Sequence, residues 1–196
     1  DWRRFIPEPY AAVVLLQADF EMAWAWQWSK QLAGDKRQLL EIARRERGNI
    51  PAILDLCDKY EIPLTWATVG HLLLDHCQRG LAGIHPEIPR PEPFENEFWK
   101  YSGGDWFVHD PGTDIRRDPE WYAADLVREI LARKTRHEIG CHTFSHIDCR
   151  DGVCSPETMK KELDECKKIA RQWGIPLRSF VHPGNMIGGL KVISEQ

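Results

Sequence analysis

Glu138-Ile139-Gly140-Cys141-His142-Thr143-Phe144-Ser145-His146 is the stretch on which the reading of this chain turns. A short apolar segment with strand character runs straight into two histidines four positions apart. If the chain turns helical at His142, side chains at i and i+4 share one face, a turn apart. Two neutral imidazoles at that spacing can grip one divalent ion, at Zn–N distances of roughly 2.0–2.1 Å. A tetrahedral metal needs further ligands, and an acidic one is available far upstream. A mostly apolar run from Ala11 to Ala18 ends in Asp19-Phe20-Glu21. Together the two stretches point to a metal hydrolase.

The totals set the frame. A length of 196 residues fits one domain with a sizeable core, and 42% apolar with 29% charged residues excludes wholesale disorder. A net charge of −4 and a pI near 6.1 exclude a basic nucleic-acid footprint. No apolar run approaches the roughly 18 residues of a membrane span, and no signal-peptide apolar region opens the chain. Asp1 rather than Met stands first, so a removed leader stays open. The six cysteines form no CxxC pair, which weakens a zinc-ribbon or thioredoxin-like reading. Cys149 and Cys154 could bridge in an oxidising compartment, but the scattered placement favours free thiols and a cytoplasmic location.

The pattern along the chain is strand and helix in alternation. Residues 11–18 read as a strand buried on both sides, and Trp24, Trp26 and Trp28 alternate as an extended piece with one aromatic face. Lys36 to Arg47 reads as a helix broken at Gly48-Asn49, with Pro51 opening a second helix through Tyr60. Pro63 to Val69 is the next strand, His71 to Arg79 a helix, Glu120 to Arg133 another, and His137 to Cys141 a strand. Ser155 and Pro156 supply the N-cap and first position of a helix to Trp173, and Leu177 to Val181 is a strand leading into His182-Pro183-Gly184-Asn185. This order predicts an α/β fold with a parallel sheet and right-handed crossovers. Residues 80–119 interrupt it: prolines and Gly103-Gly104 forbid long elements there. So long a loop is commonly a lid or binding loop, and we place it over the active-site face, with Trp99, Tyr101, Trp106 and Phe107 as cleft-lining candidates. Asp19, His142 and His182 each fall just past a strand's C-terminal end. In a β/α barrel all such ends open on one face, where the chemistry sits.

At these residues the chain resembles the polysaccharide deacetylase family, the NodB-homology domain of carbohydrate esterase family 4. His142-Thr143-x-x-His146 matches the family's His-Ser/Thr-x-x-His zinc motif, and Tyr60-Glu61-Ile62-Pro63-Leu64-Thr65-Trp66 is similar to its second strand. The resemblance covers residue 11 to the C-terminus, apart from the insertion at about 80–119, and implies a single domain over 1–196. It implies a distorted seven-stranded (β/α) barrel, Zn2+ as the divalent cofactor, and a carbohydrate substrate bearing N-acetyl groups. Members carry two adjacent aspartates, a base and a metal ligand. Here Asp19-Phe20-Glu21 spaces the two acids by one, and strand alternation would keep both on one side. Asp19 is assigned as the base and Glu21 as a metal ligand beside His142 and His146, with the exchange of roles left open.

The third motif also departs. Members show an Arg and a Pro-Tyr whose backbone N–H helps hold the oxyanion. This chain has Arg178 three positions early, and Gly184 as the backbone donor. His182 reads either as a further polar residue of the site or as a satisfied core histidine. Members continue into strands with a Leu-x-His general acid that has no matched position before Gln196, so the barrel is expected to be incomplete at its C-terminus. The expected activity is metal-dependent removal of acetyl groups from N-acetylated sugars or polysaccharide. Cyclic amide or imide hydrolysis, and a non-catalytic carbohydrate-binding relative that retains metal, are the alternatives. A structural zinc site from Cys141, His142, Cys149 and Cys154 lacks the usual spacing. His71, His76, His85, His109 and His137 read as structural or exposed, with His109-Asp110 a candidate for substrate contact.

Overall fold

In a computed structural model that describes residues 2–196, three strands pair in parallel. They are β1 (Gln17–Phe20), β2 (Thr65–Thr68) and β5 (Glu138–Cys141), in the order β1-β2-β5. The register sets Phe20, Thr68 and Cys141 abreast. All three strands therefore leave the sheet at one level, and Glu21 and His142 are each the first residue beyond it. Among the described residues the sheet has three strands rather than seven and does not close.

Several elements are shorter than the sequence implies, for identifiable reasons. The expected strand over 11–18 begins only at Gln17, and Val14 and Leu15 are 80% and 87% exposed. β2 cannot extend back to pair them, because Pro63 has no N–H and Glu61 turns left-handed (φ 54°) at the end of the preceding helix. The segment 177–181 makes one parallel bridge, Cys141 to Phe180. Cys141 N–H donates to Ser179 O and Val181 N–H to Cys141 O, both at 2.9 Å, which is enough to place residue 182 beside the strand ends.

The expected break at Gly48-Asn49 is absent. α1 runs from Lys36 to Tyr60 with Pro51 inside it, capped by Asp35 accepting from Arg37 and Gln38 N–H. The local cost of Pro51 is outweighed by one apolar stripe, Leu39, Ala43, Ile50, Leu54 and Cys57, which continues across it on a single buried face. α3 (Pro156–Gln172) starts as its sequence predicts, Ser155 Oγ accepting from Thr158 N–H at 3.0 Å. α2 (Ala124–Ala132) is shorter than expected, and α4 (Leu190–Ser194) is a single turn. The helix expected over 71–79 is a 3-10 turn at Gly70–Leu73. Beyond it the chain runs extended and pairs with the insertion, Cys77 N–H donating to Thr113 O.

The insertion is folded rather than loose. It carries a hairpin, β3 (Phe94–Glu95) with β4 (Lys100–Tyr101), and sends Tyr101, Trp106 and Phe107 into the core. The alternating tryptophans do not share a face. Met22–Ala25 is a 3-10 turn that drives Trp24 against Trp121 and His71, whereas Trp28 packs on Tyr101 and Trp106. All six cysteines are free and buried, so Cys149 and Cys154 form no bridge. Among the described residues no helix is long and apolar enough to cross a membrane.

Candidate active site

Glu21, His142 and His146 meet at the shared exit of β1 and β5. Oε1 of Glu21 lies 2.8 Å from His142 Nε2 and 3.1 Å from His146 Nε2. Strand alternation does not achieve this, because β1 stops at Phe20 and Glu21 sits in a turn, with Met22 at φ 54°. Nor is the histidine motif helical. Residues 142–149 form a loop in which Thr143 and His146 both adopt left-handed backbone (φ 59°), and that loop brings the two rings within 5.3 Å. Such conformations cost on the order of 1–3 kcal/mol each and persist only where the surroundings enforce them.

Two glutamates, Glu162 fully buried and Glu46 half-buried, enforce them, and sequence reading missed both. Glu162 of α3 takes Phe144 N–H (2.7 Å) and Ser145 N–H (2.8 Å) on Oε2, and Ser145 Oγ–H on Oε1 (2.6 Å). Burial pushes its carboxyl up to about 7 in spite of those donors. Glu46 of α1 accepts Glu21 and Met22 N–H at 3.0–3.1 Å and so fixes the turn that aims Glu21. Burial raises it too, to about 7, with the charges of Glu21 and Asp19 adding to the rise. The signal was available: Glu46 falls between Ala43 and Ile50 on the buried stripe of α1, and Glu162 between Met159 and Cys166 on that of α3. A charged residue on an apolar stripe needs a buried partner.

The donor set fits a divalent cation. His142 Nδ1 is 2.9 Å from Val181 O, a bond it can make only by donating, so a neutral His142 presents the bare Nε2 lone pair to Glu21. Two imidazole nitrogens around one carboxylate oxygen, with one ring pinned by a backbone carbonyl, is how metal-binding histidines are oriented. Burial opposes ionisation of Glu21, but the charge and hydrogen bonds that His146 and His142 offer when protonated outweigh it and hold its carboxyl well below the usual range.

Asp19 is exposed at the mouth, next to this cluster. Burial of its carboxyl raises its pKa, His142 pulls it back, and Glu21 adds to the rise. Gly184, at φ 54°, lies under Trp99 of the insertion: a Cβ there would come within 2.5 Å of the indole. Trp99 also lies 6.0 Å from the His146 ring and donates Nε1–H to Ala25 O. His182 is not brought into the cluster, its Nε2 facing Gly188 O at 3.1 Å. Arg178 lies among His137, Glu138 and Trp173, at the opposite end of β5, and does not reach Asp19. Cys149 and Cys154 do not join His142. Asp110 is turned into the protein, 1% exposed, and His109 packs on Trp28.

The polysaccharide deacetylase family model matches residues 39–185. The chain belongs to the polysaccharide deacetylase family. The span matched to this family contains His142, His146 and Gly184 but not Asp19 and Glu21, whose convergence on the histidines rests on the geometry. No curated protein matches the chain significantly.

Proposed function

We propose that this family member is a metal-dependent hydrolase that removes acetyl groups from N-acetylated sugars or polysaccharide, built as one deacetylase-like domain. The observation that carries the reading is the placement of His142 Nε2 and His146 Nε2 on one oxygen of Glu21. Those three residues would hold the ion, and imidazole with carboxylate suits zinc. When bound, a zinc ion there polarises the acetyl carbonyl and lowers the pKa of water to about 7.

The chain's own groups supply the rest. Asp19, outside the ligand set and raised in basicity by its surroundings, takes the proton of the attacking water on its carboxylate. The Gly184 N–H stands as the oxyanion donor, on a backbone kept in place by the Trp99 ring above it. Trp99 beside His146 offers an aromatic wall to a sugar ring. His182 holds the 182–188 loop through Gly188 O. The test is acetate release from N-acetylhexosamine oligomers by the zinc-loaded protein. Wild type should release acetate and His142→Ala should lose at least about a hundredfold in rate. Equal release by the two proteins would overturn the mechanism, and turnover of cyclic imides alone would reassign the substrate.

A further inference from the structure

A second cluster, sharing no residue with the first, gathers His71, Cys77, His85 and Asp110. One ligand atom from each lies within 4.8 Å of all the others. His71 and Asp110 are essentially inaccessible, and Cys77 is 9% exposed. His71 Nε2 and Asp110 Oδ2 are 3.0 Å apart, but without the angles of a hydrogen bond, so that nitrogen and its ring partner Nδ1 are both buried without a hydrogen bond. His85 Nε2 is a third such nitrogen, while its Nδ1 lies 3.5 Å from Glu87 Oε1. Cys77 Sγ is 3.4 Å from Asp110 Oδ2. The other oxygen of Asp110 is already used, accepting from Tyr122 Oη–H at 3.0 Å and Gly112 N–H at 2.9 Å.

Each ring has one nitrogen that can take a shared positive centre: His71 Nε2, which faces the Asp110 carboxylate, and His85 Nε2, both buried without a hydrogen bond, which is costly. In a zinc tetrahedron with bonds of about 2.0–2.3 Å, neighbouring ligand atoms are roughly 3.3–3.8 Å apart; here His71–Asp110 is 3.0 Å, Cys77–Asp110 is 3.4 Å and no pair exceeds 4.8 Å. Tyr122 and Glu87 hold Asp110 and His85 from behind, as outer partners of metal ligands do. A cleft of about 730 Å³ lined by Asp75, His76, Thr113 and Arg128 reaches Cys77 and offers a way in. We propose that His71, Cys77, His85 and Asp110 form a second, structural zinc site that fastens the 80–119 insertion to the exit of β2.

The assignment has a physical consequence. Four protein ligands close the coordination sphere, so the ion is structural rather than catalytic. His71 and Cys77 follow β2, whereas His85 and Asp110 belong to the insertion, which also delivers Trp99 to Gly184 and Trp106 Nε1–H to Ser145 O. The clip would thus hold the aromatic wall of the active site in place without touching it.

The test is metal stoichiometry and cobalt spectroscopy on the whole chain. Wild type should bind two Zn2+ per chain, and Co2+ should give the near-ultraviolet absorption of a thiolate–cobalt bond, which the sulfur-free Glu21 site cannot produce. His142→Ala/His146→Ala should keep one ion and the absorption. Cys77→Ser, or His85→Gln should the serine variant fail to fold, should bind one ion, and Cys77→Ser should lose the absorption. Wild type binding a single ion with no thiolate absorption would overturn the proposal, as would absorption that survives Cys77→Ser. Loss of the Glu21 site alone leaves this result intact, so the two readings fail separately.

Discussion

Asp19 and Glu21 are two residues apart in sequence and differ in environment. Glu21 has its oxygen on two imidazoles and a backbone fixed by Glu46, whereas Asp19 faces the opening with no such partners. The difference predicts a clean division. Asp19→Asn should retain zinc at the His142–His146 site while kcat falls by about 10²–10⁴. Glu21→Gln should weaken zinc binding there, with activity partly restored by excess metal. Kinetics with parallel zinc titrations check both, and a reversed pattern would exchange the two roles. The sequence placed both acids near the histidines but left their roles open, because strand periodicity treats positions 19 and 21 alike. The turn at Met22 tells them apart.

α1 and α3 do more than cover the sheet, since each carries one carboxylate that supports the site. Glu162 gives this a pH signature. Below about pH 4.5 its carboxyl is protonated in folded and unfolded chains alike. Between about 4.5 and 7 the unfolded chain ionises first, so the folded state holds more protons and stability falls as pH rises. Above about 7 the loss is complete, on the order of 3 kcal/mol for a shift from 4.5 to about 7. Glu162→Gln keeps an acceptor for the two N–H groups and should flatten that part of the slope. Urea unfolding at matched zinc from pH 4.5 to 8 is the measurement, and parallel curves for variant and wild type would count against the assignment. The caps of α3 were legible from Ser155 and Pro156. The continuity of α1 through Pro51 was not, since the local penalty is visible in sequence and the stripe that outweighs it becomes decisive only on packing.

Across the whole molecule, the insertion and the sheet exits meet where Trp99 lies on Gly184. Gly184→Ala puts a Cβ into the indole and should displace the hairpin, whereas Trp99→Ala removes the obstacle along with the packing. Each single variant should lose stability, and the double variant should lose less than the sum, by about 0.5–3 kcal/mol. A double-mutant cycle of unfolding free energies checks it, and strict additivity would mean that the two do not communicate. Acetate release should follow the same order, since the oxyanion donor and the aromatic wall move together.

Local pattern alone determined the alternation of strand and helix, the N-cap of α3, and the histidine pair at a strand exit. Each depends on residues within a few positions of one another, where periodicity and capping chemistry act. Only tertiary structure decided which acid faces the imidazoles, which glutamates hold the loops, and how residues 80–119 fold back onto the sheet. It also decided that His71 and His85, unremarkable in the chain, stand beside Cys77 and Asp110. Those outcomes join side chains far apart in sequence, and buried polar groups find their partners only when the core closes around them.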